Sequence, residues 1–233
     1  MPHNGIDHRN SDRQTRNALV VVAHHRSDSL TAHIARRTIT RLEEAGYRVD
    51  LLDLRAEGFD PRMNDADQPD WGNREKSYSP EVHTHMDRML AADVVVAVFP
   101  VYWASLPALL KGWVDRVWNY GLAYGRSKPR LAGKRMLWLG LGGLGLDDPL
   151  VPFMQETLEG QLNMGIAYYC GFSYSAVGLL FDAEERRQRL DADGQLLIDE
   201  PTVGAERAAQ YAELERRADG FVTDFLAAEA VPV

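Results

Sequence analysis

At 233 residues, with 34 Asp and Glu against 26 Lys and Arg, the chain suffices for one large α/β domain, and its net charge of −8 excludes a nucleic-acid surface spread over the whole molecule. Its one cysteine, Cys170, excludes an intramolecular disulfide framework and a cysteine-cluster zinc site, and it fits a reducing, cytoplasmic compartment. No apolar run approaches the roughly 20 residues that span a bilayer, so no membrane insertion is expected.

Residues 1–17 are polar and mixed in charge, and they are expected to form a flexible N-terminal arm rather than a signal peptide or anchor. Residues 18–233 are expected to fold as a single domain. Ala18 to Ala23 is apolar and β-branched, a first buried strand. After a loop, Leu30, Ile34, Ala35, Ile39 and Leu42 fall at helical spacing, with Ser29 placed to cap the start and Gly46 to end it. Val49 to Leu54 reads as a second strand, completing a right-handed βαβ unit.

From Arg55 to Ser79 the chain is rich in Asp, Asn, Pro and Gly and has no sustained period, an excursion of a length that is usually functional or interface-forming. Ser79-Pro80 then opens a helix with Val82, Met86, Met89 and Leu90 as its apolar face. Val94 to Val98 predicts a third strand covered on both faces, with Pro100 ending the ladder because it has no N–H. A helix is expected from Pro107 to Trp118, a loop from Asn119 to Gly125 and a basic connector from Arg126 to Lys134. Met136 to Leu141 reads as a fourth strand, followed by a helix between Pro149 and Met164, a fifth strand from Ser173 to Leu180 and a closing amphipathic helix from Thr202 to Ala228. Strands alternating with helices in this way predict an α/β fold: a doubly wound five-stranded parallel sheet of flavodoxin-like order with helices on both faces.

In such sheets the ligand lies beyond the carboxyl ends of the strands, which directs attention to three loops. After the first strand, Ser27, Ser29 and the backbone N–H groups of a helix start form either an anion site or a plain helix cap. This loop has neither the glycines of a dinucleotide fingerprint nor the Gly-Lys-Ser of a nucleoside triphosphate loop. His24 is either a donor to a phosphate or ring carbonyl or a polar residue at a strand end, and Asp28 suits an anion site only if Arg26 offsets it or it points outward. After the third strand, Pro100 leaves Tyr102 and Trp103 on a stiff loop, either as flat surfaces for a ring system or as core aromatics. After the fourth, Gly142-Gly143-Leu144-Gly145 permits close approach of backbone to a ligand.

His83 and His85, two apart on a helix, face different directions, and no metal is expected. Arg126, Lys128, Arg130, Lys134 and Arg135 either attract a phosphorylated nicotinamide or form a solvated charged loop. The absence of a Gly-x-Ser-x-Gly elbow argues against a hydrolase.

Ala23-His24 with Ser29, Phe99-Pro100 through Trp103, Ala123-Tyr124, Gly142-Gly143 and above all Pro107-Ala108-Leu109-Leu110-Lys111-Gly112-Trp113 with Asp115-Arg116-Val117 carry a resemblance. From about Ala18 to about Phe181 the chain resembles the NAD(P)H:quinone oxidoreductase family of flavodoxin-like flavoproteins, which includes bacterial members related to ancillary proteins of glutathione-gated potassium efflux. The resemblance implies FAD or FMN as cofactor, NAD(P)H as co-substrate, a quinone or similar flat acceptor and a homodimer. By the same resemblance His24, Ser29, Leu30 and Thr31 meet the flavin phosphate end, and Pro100, Val101, Tyr102, Trp103 and Ala104 meet the ring. Gly142 and Gly143 meet the ring carbonyls, and Tyr124, with Trp103, lines a substrate cavity at the dimer interface. Two other readings stand beside it: a flavodoxin-type electron carrier, and a regulatory subunit associated with a membrane transporter. The chain departs from some relatives, which have a Tyr and a His after the glycine pair as a charge relay, where this sequence has residues near Asp148 and Met154 and no His. Many bacterial relatives also have Pro at the position of His25.

Overall fold

The computed structural model describes residues 16–186, 188–190 and 193–229. Five parallel strands, β1 (Arg16–Val22), β2 (Tyr47–Asp53), β3 (Val94–Pro100), β4 (Arg135–Leu141) and β5 (Tyr174–Leu180), pair in the order β2-β1-β3-β4-β5. The helices are α1 (Leu30–Glu44), α2 (Pro80–Ala91), α3 (Ala108–Val117), α4 (Val151–Leu158), which runs on as a π-helical segment Glu159–Tyr168, and α5 (Gly204–Ala227).

Every residue of β3 is buried, because it is central in the sheet and both its faces are covered. Val95, Ala97 and Phe99 point into a core shared with α2 and α3, while Val94, Val96 and Val98 point into a second core shared with α1 and α5. Helix α5 is fastened to α1 by His33 Nε2 to Glu215 Oε1 at 2.5 Å and by Arg37, whose Nε and Nη2 donate to Asp219 at 2.9 and 2.5 Å. Strand order reverses between β1 and β3, so a crevice opens outside their carboxyl ends.

Several expected boundaries move. The expected N-terminal arm lies outside the described residues except for Arg16 and Asn17, which open β1 because the Asn17 N–H donates to the Asp93 carboxylate at 2.7 Å. Pro100 ends the ladder where expected: it is the last residue of β3, opposite Leu141, and the N–H of Val101 closes that last pair on the Leu141 carbonyl at 2.7 Å. Lys134 is not part of a solvated loop; its ammonium donates to the Leu90 and Ala92 carbonyls at 2.8 and 2.5 Å. The segment after β5 contains an antiparallel hairpin, β6 (Gln188–Leu190) and β7 (Leu196–Ile198), too short to register as periodicity.

The excursion between β2 and α2 forms no regular element and is held by a buried ion pair. Asp67 is 0% exposed and Arg116 of α3 is 3% exposed. Arg116 Nε and Nη2 donate to Asp67 Oδ2 at 3.1 and 2.6 Å, and Arg116 also bonds the Asp60 carbonyl and, at 2.9 Å, Glu81. The other Asp67 oxygen accepts the Ser79 N–H at 2.8 Å, and Asn119 Nδ2 donates to the Asp67 carbonyl at 2.6 Å. Burial acts to raise the Asp67 pKa, but Arg116 and Ser79 outweigh it and hold the carboxyl below its ordinary value. A folded pKa below the unfolded one contributes stability that is present above the usual Asp range and is lost as pH falls through the folded value. Arg116→Met should therefore cost about 3–5 kcal/mol in urea unfolding at neutral pH, because it leaves a buried carboxylate without its cation. The deficit should shrink as pH falls, beginning above the ordinary Asp range, because without Arg116 burial raises the Asp67 pKa in the variant and the carboxyl takes up a proton.

Candidate functional site

Beyond the carboxyl ends of β1, β3 and β4 lies a cleft of about 500 Å³, within the roughly 300–1,000 Å³ of small-molecule sites. It gathers His24, Ser29, Leu30 and Thr31 from the first loop and α1, with Pro100, Val101 and Tyr102 from the third strand and its loop.

The floor of the first loop is the start of α1. Ser29 is extended at the cap position and its Oγ accepts the Ala32 N–H at 3.1 Å. The N–H groups of Leu30 and Thr31, at the first two helical positions, have no intrahelical carbonyl to bond, and the helix dipole adds positive potential there. His24 Nδ1 is held by the Arg26 backbone, 3.0 Å from its N–H and 3.2 Å from its carbonyl, which fixes the ring's orientation. Burial, and then the neighbouring His25, whose ring stacks at 4.4 Å, hold the His24 pKa below that of a free imidazole. Asp28 is exposed and bonds Arg26 Nε at 3.0 Å, so it is both offset and turned outward.

The loop after β3 is a tight turn closed by reciprocal bonds, Tyr102 N–H to the Ser105 carbonyl at 3.2 Å and Ser105 N–H to the Tyr102 carbonyl at 3.0 Å. Its central residues, Trp103 and Ala104, have φ of 54° and 53°, a left-handed conformation that costs energy for residues with a Cβ. The turn holds the Trp103 indole fully exposed, so Trp103 is not a core aromatic, and neither it nor Ala104 lines the cleft.

Gly142 lies in the sheet margin, where its N–H donates to the Leu180 carbonyl at 3.0 Å and its carbonyl accepts the Ala183 N–H at 3.1 Å. Gly143 faces a neighbouring cavity of about 400 Å³ across the Glu184 side chain, which passes 2.6 Å from where a Cβ would stand. Tyr124 stands apart from the cleft in an aromatic group with Trp71, Tyr120 and Tyr169, at ring separations of 5.5–5.9 Å. Burial raises the Tyr124 pKa, so its hydroxyl is protonated at neutral pH. Asp148 accepts the Leu150 N–H in the turn before α4, and Met154 packs against the core.

Sequence reasoning missed one wall of the cleft: Ala183, Glu184, Glu185, Arg186, Ile198 and Arg207, brought in by the segment that follows β5. Only Arg207 lay in a predicted element, and nothing in the spacing turned it inward. Of the cationic side chains in the cleft, Arg26 is paired with Asp28, Arg186 with Glu200 and Arg207 with Glu185, and Glu184 and Glu185 line it too. What it offers an anion joined to a flat ring is the backbone donors of the α1 start beside apolar strand-end surface. The Cys170 thiol is buried and pushed up to about 12 by desolvation, which rules it out as a nucleophile. Among the described residues, no helix is long and apolar enough to cross a membrane.

A family model described as flavodoxin-like fold matches residues 16–197. The chain is 47% identical over 177 residues to an uncharacterised NAD(P)H oxidoreductase, YcaK, of Escherichia coli, with 74% of this chain and 89% of that protein covered. It is 30% identical over 206 residues to the Homo sapiens ribosyldihydronicotinamide dehydrogenase (quinone), with 77% and 89% covered. Among solved structures, the NAD(P)H:quinone oxidoreductase from Methanothermobacter marburgensis has the same fold, with a TM-score of 0.76 at 18% identity over 92% of this chain and 99% of that one.

The exposure of the tryptophans is directly measurable. Trp103 and Trp71 are exposed, while Trp113, Trp118 and Trp138 are buried. In the flavin-free single chain, at dilution that keeps it monomeric, acrylamide should quench two classes of tryptophan emission, and Trp103→Phe with Trp71→Phe should abolish the accessible class. Retention of that class in the double variant would contradict the turn conformation.

Proposed function

The chain belongs to the flavodoxin-like NAD(P)H:quinone oxidoreductase family, and from that premise we propose that it is a flavin-dependent NAD(P)H oxidoreductase passing two electrons to a quinone or similar flat acceptor. The observation that supports this most is the convergence of an uncommitted helix N-terminus, a neutral His24 and the loop after β3 on one cleft at the reversal of strand order.

When bound, the flavin supplies hydride acceptance from NAD(P)H and electron return to the acceptor. The chain's own part is binding and orientation. The Leu30 and Thr31 N–H groups suit the phosphate end, with the His24 ring beside them and Ser29 holding the helix start in place. Pro100, Val101 and Tyr102 would form the wall for the ring. Trp103 and Ala104, on the exposed turn outside the cleft, and the Gly142-Gly143 backbone are assigned to the ring's edge and carbonyls by family resemblance alone. This end suits the phosphate of FMN and the pyrophosphate of FAD alike, and mass analysis of the extracted flavin distinguishes them.

Trp103 and the Trp71–Tyr124–Tyr169 group are apolar surfaces left open in the single chain. A second copy that covers them would exclude water from the acceptor cavity, so the functional unit is proposed to be a homodimer. The free, buried Cys170 accords with a cytoplasmic setting.

The reading is tested by reconstitution. The protein should bind flavin, turn yellow and be bleached by NAD(P)H without oxygen; a chain that takes up neither flavin would overturn it. Trp103→Ala should weaken flavin binding by about 2–3 kcal/mol, roughly 30- to 150-fold in Kd, for loss of one flat indole face.

The pH profile follows from the histidine distribution. The last histidine of the chain is His85, so no imidazole follows the glycine pair. If backbone dipoles alone face the reacting ring, the rate of anaerobic NAD(P)H oxidation by the flavin-loaded protein should vary little between about pH 6 and 8, where a free imidazole titrates. Stopped-flow traces of the parent and His24→Asn check this. A steep profile retained in the variant would require another titrating group.

A further inference from the structure

A second cavity, of about 210 Å³, lies between the excursion after β2 and the loop after α3, and its wall is cationic although the protein carries a net charge of −8. Arg74 and Lys76 come from the excursion, Arg126 and Arg130 from the connector before β4, and His83 from near the start of α2. The one carboxylate in the wall, Glu75, is already paired with Arg126 at 2.6 Å.

The convergence is built into the backbone. Gly121 has φ +88°, and a Cβ there would stand 2.2 Å from the Arg74 carbonyl oxygen, so only glycine lets the two loops meet. Arg126 Nε donates to the Gly121 carbonyl at 2.6 Å, and the Arg130 N–H donates to the Leu122 carbonyl at 3.0 Å. Lys76 Nζ is positioned by the Gln68 carbonyl at 2.5 Å. The Arg74 and Arg130 guanidinium groups have no hydrogen-bond or ion-pair partner among the described residues. Arg74 and Arg130 are exposed, with their charges held by water in the single chain, and the planar donor fork of arginine matches the oxygens of a phosphate. His83 adds a donor: its Nε2 accepts the Tyr78 N–H at 3.1 Å, which leaves Nδ1 as the protonated nitrogen. The Tyr78 hydroxyl, pushed up to about 12 by burial, introduces no competing negative charge.

We propose that this cavity binds a phosphate monoester and, resting on the function proposed above, that the monoester is the 2′-phosphate of NADPH, so that the site selects NADPH over NADH. The link to that reading is Tyr120, which is in the cavity wall and also packs edge-on against Trp71 and Tyr124 of the aromatic surface. The volume holds little more than the phosphate group and its immediate attachment, which suits one end of a dinucleotide extending along that surface.

The test combines binding and kinetics on the full chain as purified. Arg74→Gln with Arg130→Gln removes the two unpartnered guanidinium groups, and retention of the parent's thermal unfolding shows that the variant is folded; each single variant is measured alongside. Calorimetry with adenosine 2′-monophosphate and with inorganic phosphate should show binding to the parent that weakens with salt and falls by about tenfold or more in the double variant. The KM for NADPH should rise by a similar factor while the KM for NADH does not move. Binding of neither probe by the parent, or equal binding by parent and variant, overturns the site. Loss of phosphate binding with equal changes in both KM values overturns the NADPH assignment and identifies free phosphate as the ligand. The outcomes separate from the function itself: probe binding that depends on both arginines without NAD(P)H oxidation sinks the enzyme reading alone, whereas oxidation of both dinucleotides with no probe binding sinks the pocket alone.

Discussion

Arg116 and Asp67 sit out of water between α3 and the excursion after β2, and the placement of that excursion depends on them. Two charges in such a position are stable only while they remain together and their other hydrogen-bonding groups are satisfied. Here the remaining groups reach the Asp60 carbonyl, Glu81, Ser79 and Asn119, so one guanidinium ties the start, middle and end of the excursion to α3. The contact is close enough that a Cβ at Gly112 would stand 2.2 Å from the Pro61 carbonyl oxygen. From this anchor the excursion brings Trp71, Arg74 and Tyr78 to the loop after α3, where the Tyr78 hydroxyl donates to the Tyr120 carbonyl at 2.7 Å. Both the aromatic surface around Tyr124 and the cationic cavity beside it are consequences of that pair.

The cleft at the strand ends works on a different physical basis. Its donors are backbone N–H groups at a helix start, fixed in direction by the helix and independent of pH, with a histidine kept neutral by burial. Fixed dipoles need no reorganisation when charge appears beside them, which suits a site whose chemistry is supplied by a bound ring. The energetic cost appears in the turn after β3, where Trp103 and Ala104 are held left-handed by two short-range hydrogen bonds. That strain directs a large indole outward, to where a bound ring or a second chain can cover it.

Local sequence was most informative where burial is one-dimensional. A strand covered on both faces must be apolar at nearly every position, and Val94 to Phe99 shows this without any knowledge of its neighbours. Ser29 and Ser79 announce helix starts because a hydroxyl at that position satisfies an N–H that the helix cannot. These patterns place β1, β3 and the loops that carry His24, Ser29 and Tyr102, and hence much of the cleft. The cleft wall from Ala183 to Arg186 has no such pattern, since an irregular segment follows no period and owes its position to what it packs against.

The sequence by itself determined the alternation of strands and helices and the residues at the strand ends, because these follow from local hydrogen bonding and from apolar spacing along the chain. The order of the sheet was expected from that alternation and decided by long-range strand pairing. Only the tertiary structure decided which charges act together. The basic connector reads as one group along the chain, yet Lys134 turns to the carbonyls ending α2 and Arg135 packs over Phe225 and Tyr174, while Arg126 and Arg130 meet Arg74 and Lys76 from an excursion some fifty positions earlier. Electrostatic interaction depends on distance and solvent exclusion, neither of which has a period in sequence, so these groupings exist only once the buried ion pair and close glycine contacts have brought the loops together.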